Sequence, residues 1–138
     1  MSDDASLELL AGVMSVLTDD AGVTALVAGR VYDSPPASPT FPYVRVHALD
    51  PSSFDTDTQT GQEVQVGLTV QTDKTSRSEA LRVAAAIRKA LHRREDAFSL
   101  PTAHLVEMIW QTTVTRRDAD GIRHEAVMSF QATLEDAA

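Results

Sequence analysis

From Glu63 to Gln71 the chain alternates without a break: Val64, Val66, Leu68 and Val70 are apolar, while Glu63, Gln65, Gly67, Thr69 and Gln71 are polar or small. Successive side chains of a strand point to opposite faces, so this period of two demands a strand with one buried face and one wet face. Such a strand needs partners in a sheet and a second layer over its apolar side. Two later segments supply partners. His104–Thr115 and Ile122–Leu134 are rich in β-branched and aromatic residues, and Asp118-Ala119-Asp120-Gly121 between them reads as a turn in which Gly121 takes a positive φ. In the second of these segments Ile122, Ala126, Met128, Phe130 and Leu134 share one face, and Arg123, Glu125, Ser129, Gln131 and Thr133 the other. Tyr43–Ala48 reads as a shorter strand.

The covering layer is helical. Leu7, Leu10, Ala11, Met14 and Leu17 recur at three-to-four spacing, which predicts an N-terminal helix buried on that stripe. Asp3 and Asp4 suit its N-terminus. Asp20 is placed to cap a short second helix through Leu26 and Val27, with Gly29 as its stop. Prolines 35, 36, 39 and 42 then make an extended connector. Ser76 and Glu79 form a capping-box pattern before a helix running to about Arg94. Its inner stripe reads Ala80, Leu81, Ala84, Ile87 and Leu91; Arg82, Lys89 and Arg93 face outward. The expected fold is α+β: a mostly antiparallel sheet of about four strands, a long helix across it, and N-terminal helices. At 138 residues the chain is read as a single domain over 1–138, burying roughly two-thirds of its unfolded surface.

Composition narrows function. Twelve Lys+Arg against 20 Asp+Glu give a net charge of −8, which argues against a free-standing nucleic-acid surface. Cysteine is absent, so disulfides, thiolate catalysis and thiolate metal sites are excluded. No apolar run approaches transmembrane length and no signal-peptide pattern opens the chain, so a soluble protein of a reducing compartment is expected, with no membrane partner. Charge is uneven: residues 1–60 hold nine acids and two bases, whereas 61–100 hold five acids and seven bases.

No constellation points to chemistry. His47, His92, His104 and His124 form no i,i+4 pair, and His124 is expected opposite a residue near 115, away from His104, so no metal is expected. Asp55, Asp57 and Gln59 sit in a calcium-loop-like run, but the glycine is one place late and the closing glutamate is missing. That loop reads instead as solvated, or as a grip for a partner or neighbouring subunit. No nucleophile elbow or phosphate loop is present, so neither catalytic residues nor a cofactor are expected. The basic helix end (Arg88, Lys89, His92, Arg93, Arg94) reads either as a solvated face complementing the helix dipole or as an electrostatic contact to an acidic neighbour, including another copy. Arg116 and Arg117 carry the same two readings. Trp110 is the one tryptophan, read as core or as an interface anchor.

Three blocks in order carry a resemblance. Gly29-Arg30-Val31-Tyr32-Asp33 leads through prolines to Phe41-Pro42-Tyr43-Val44. The helix from Arg77 to His92 follows. Arg117-Asp118-Ala119-Asp120-Gly121 then precedes a strand ending Phe130-Gln131-Ala132-Thr133-Leu134. Together they resemble the small tail-completion proteins, or tail terminators, of long-tailed phages, prophages and gene transfer agents. The abundance of Ala, Val, Arg and Asp suits a GC-rich bacterial host, and the resemblance leans towards the gene transfer agent version. The resemblance implies a structural virion protein without catalytic residues or cofactor, assembled in the bacterial cytoplasm and found at the virion tail and neck. It implies a homo-hexameric ring on the head-proximal end of the tail tube, which stops polymerisation. A tail tube protein would meet one face and a stopper or neck protein the other, with DNA passing through the lumen unbound. In that setting the sheet edges could be extended from subunit to subunit. The loop Pro51–Gln62 and the proline connector become contacts along the tail axis, and the basic helix end and acidic N-terminal segment could pair between neighbours. A head–tail joining or stopper protein, and a monomeric acidic binding module or small enzyme unrelated to virions, are the alternatives.

Overall fold

The structure, a computed structural model, describes residues 4–55, 60–74, 77–117, 119, 121 and 123–136. Expectations placed on Asp3, Asp57, Gln59, Ser76, Asp118, Asp120 and Ile122 fall outside them. In chain order the elements are α1 (Ala5–Asp19), α2 (Ala21–Val27), β1 (Val31–Tyr32), β2 (Tyr43–Ser53), β3 (Gly61–Gln71), α3 (Ser78–Leu91), a 3-10 turn (Glu95–Ala97), β4 (Ala103–Arg117) and β5 (His124–Asp136). The five strands form one sheet in the order β1-β2-β3-β5-β4. β1 runs parallel to β2, and every other pairing is antiparallel.

The strand added to the expected four is β1, whose two residues are too few to show a period. β2 also runs past Ala48 through Pro51, which pairs with Val64. A proline is tolerated there because this half of β2 lies beyond the short β1, on the sheet edge. His47 is the extra residue of a bulge between Val46 and Ala48. Its ring rests over Gly67, where a Cβ would come within 2.5 Å of Nε2. His124 pairs with Arg117, and His104 with Glu135, so the two histidines lie apart.

The three helices cover one face of the sheet. Val64, Val66, Leu68 and Val70 of β3 and Ala126, Met128, Phe130, Ala132 and Leu134 of β5 are buried beneath them, as the alternation predicts. Asp20 caps α2 by accepting the Val23 N–H at 3.0 Å. Ala28, in the left-handed region at φ 52°, takes the C-cap expected of Gly29, which follows at φ 77°.

Two helical stripes differ from expectation. α1 buries Ala5, Leu9, Val13 and Leu17, while Leu7 is 50% exposed, Ala11 is exposed, and Leu10 and Met14 are half-buried. Of the expected stripe Leu17 is core, while Leu7, Leu10, Ala11 and Met14 form the outer side of a helix that is apolar on two sides. In α3, Val83 takes the core position expected of Leu81, which is 44% exposed. At 14 residues α3 is one shorter than α1, so it is not the one long helix expected. It stops at Leu91 because Arg93 turns left-handed at φ 55° and gives its N–H to the Met108 carbonyl of β4 at 2.8 Å. Arg77 occupies its N-cap without a side-chain cap bond.

Candidate functional site

Among the described residues, no group of three or more His, Asp or Glu side chains could hold a metal ion, and no single helix is long and apolar enough to cross a membrane. What the fold presents are surfaces, and two of them are apolar grooves on the helix layer.

The first groove lies between α3 and β4 and has a volume of about 610 Å³. Leu81, Ala84, Ala85 and Trp110 give it an apolar floor, and Arg88, Lys89 and His92 a basic rim. The Arg88 guanidinium stacks 3.9 Å above the Trp110 ring, a contact worth roughly 0.5–1 kcal/mol at an exposed site. The indole N–H donates to Thr113 Oγ1 at 2.9 Å, which fixes the ring plane. Trp110 is half-buried: its inner side packs against the core and its outer side belongs to the groove.

The second groove runs along the outside of α1 and also measures about 610 Å³. Leu7, Leu10, Ala11 and Met14 line it, and the exposed Asp33 closes one side. Beside it, the buried Glu8 carboxylate accepts the Thr102 N–H at 2.9 Å, the Ala103 N–H at 3.0 Å and the Thr102 hydroxyl. The Thr102 hydroxyl and then these backbone donors hold Glu8 below the usual carboxylate range. Asp4 is likewise lowered, first by the Gln62 side-chain amide at 2.9 Å and then by the Ser6 N–H at 3.0 Å. The pair clamps α1 to the ends of β3 and β4. Its only sequence signal is an acid near a helix start.

The sheet face opposite the helices is polar. Ser129 donates to Gln111 at 3.0 Å, and Gln111 to Gln131 at 3.2 Å. Farther along, Glu125 is nearly buried between the Gln71 amide at 2.7 Å and Arg116 at 2.5 Å. Burial, and then Arg45 and Arg116, lower the pKa of His47, which shares a 2.7 Å hydrogen bond with Thr69.

The predicted site residues therefore divide. Arg88 and Lys89 share the α3–β4 groove. Arg94 pairs loosely with Asp96 at 3.6 Å, and Arg93 is exposed in the turn after α3. Arg116 is held by Glu125, while Arg117 lies exposed at the end of β4. Asp55 accepts the Gly61 N–H at 3.1 Å at the mouth of the β2–β3 connection, whose tip, with Asp57 and Gln59, is outside the described residues. Sequence reasoning missed Leu81 and the α1 ridge as surfaces, since both were assigned to the core.

The sequence model of tail completion protein gp17 matches residues 11–135. The chain belongs to the tail completion protein gp17 family. The expected family is therefore the observed one, and membership makes this a structural protein of a phage-type tail. Among 26 matching chains of solved structures is one from the virion of a native gene transfer agent particle. That chain is 27% identical, with a TM-score of 0.87 over 97% of this chain and 99% of its own. No curated protein matches. This tail completion protein thus shares its fold, over nearly all of both chains, with a chain of an assembled particle.

Proposed function

We propose that this chain is a tail terminator. It closes the head-proximal end of a tail tube as a hexameric ring, stops tube polymerisation, and offers the neck a docking surface. The observation that carries the reading is the end-to-end match to a gene transfer agent virion chain, within a family defined by tail completion. A single terminator domain over 1–138 contacts tail tube protein on one face and a stopper or neck protein on the other. It has no catalytic role and needs no cofactor. It assembles in the bacterial cytoplasm and stays with the virion neck. Net charge −8 supports a ring that passes DNA without gripping it.

Deleting the gene and measuring tails by electron microscopy, with complementation, tests this. Overlong, headless tails are expected. Tails of normal length beside DNA-filled heads would transfer the protein to the head–tail joining class. Unaltered particles would remove it from the virion altogether.

A further inference from the structure

The two uncovered grooves differ in charge. Leu7, Leu10, Ala11 and Met14 stand at i, i+3, i+4 and i+7, so they form one continuous ridge. No basic residue occurs before Arg30, and α1 with its flanks carries Asp4, Glu8, Asp19 and Asp20. From Arg77 to Arg94 six basic residues stand against Glu79, and of these Arg88 and Lys89 rim the other groove. One surface is an apolar ridge in an acidic field and the other an apolar floor with a basic rim.

Copies could instead join by strand addition along β4, but the middle of its free edge is occupied. The Met108 carbonyl takes the Arg93 N–H at 2.8 Å, and the Trp110 N–H donates to His92 Nδ1 at 3.0 Å. Bulges between Leu105 and Glu107 and between Trp110 and Thr112 break the register further. These are the devices by which proteins block edge pairing.

We propose that the α1 ridge of one copy seats in the α3–β4 groove of the next. Leu7 packs toward Leu81 and Trp110, and the acidic flank of α1 faces Arg88 and Lys89. The two surfaces are different, so the contact is heterologous: it repeats head to tail and makes a ring where the rotation closes. The choice of a second copy as occupant rests on the terminator reading and on this charge complementarity.

The cysteine-free chain allows a direct test. Leu7→Cys and Ala85→Cys are both at exposed positions. The two single variants, mixed and mildly oxidised, are expected to give a covalent dimer that neither variant gives alone. The double variant is expected to give a ladder ending at six chains. No cross-link in the mixture, or a Leu7→Cys homodimer in its place, overturns the contact. If native mass spectrometry then still shows hexamers, the ring stands on other surfaces. A ladder running past six keeps the contact and removes the closed ring.

Discussion

α1 and α3 lie side by side on the same sheet, yet they present opposite problems. α3 is strongly amphipathic: Val83, Ile87 and Leu91 face the core, and Arg82, Arg88 and Lys89 face solvent. One apolar residue, Leu81, breaks its charged side, and it lines the groove with Trp110. α1 has little polar side to break. Leu9, Val13 and Leu17 are fully buried, and Leu7, Leu10 and Met14 form a second stripe turned outward. A helix apolar on one side needs one partner, and a helix apolar on two sides needs two. For α1 the fold supplies one in full and covers the second side in part, leaving Leu10 and Met14 half-buried and Leu7 exposed.

The sharpest way to break this comparison is to truncate each stripe of α1 in turn. Leu9→Ala removes a fully buried side chain and is expected to cost about 2–5 kcal/mol in denaturant unfolding. If it costs no more than a surface change, the inner stripe has been misplaced. The junction between α1 and α2 comes next. Asp20 caps α2, and Asp20→Ala is expected to lower stability by about 0.5–2 kcal/mol in the same measurement.

The clamp that fixes the outer stripe has a pH signature. Glu8 is held below the ordinary carboxylate value of 4.5, so its contribution is full above that value and is lost as pH falls through it toward the lowered folded value. Glu8→Gln is expected to reduce stability at neutral pH and to flatten the acid side of the stability profile. An unchanged acid limb would show that the Thr102 contacts do not favour the ionised form. The smallest effect belongs to Leu7. Leu7→Ala should change the unfolding free energy by no more than about 0.5 kcal/mol, because the side chain is 50% exposed. A larger loss would return Leu7 to the core.

The same contrast explains what was legible in the sequence. β3 and β5 could be read residue by residue because the period is strict, although the second face is wet only in part, with Thr69, Gln71 and Glu125 on it buried. The hairpin turn was visible through Gly121, which sits at φ 74°. β1 was not, since two residues carry no period. The extension of β2 was hidden by Pro51, which an edge position tolerates. In α1 both stripes have helical spacing, so periodicity alone could not choose between them; the sheet beneath decides. The basic residues Arg88 and Lys89 were legible as a charged helix end. Their groove was not, because Trp110 reaches it from a strand 22 residues away. Arg116, which carried the same two readings, meets Glu125 of the same hairpin.

Surface and function meet in one measurement: the tail lengths of particles whose only copy of this chain carries Leu7→Asp. Leu7 is the third residue of α1, where an acid suits the helix dipole, so the variant is expected to fold. The account predicts overlong, headless tails like those of the deletion, with the variant chain soluble and folded in the same cells. Tails of normal length on DNA-filled particles would contradict it.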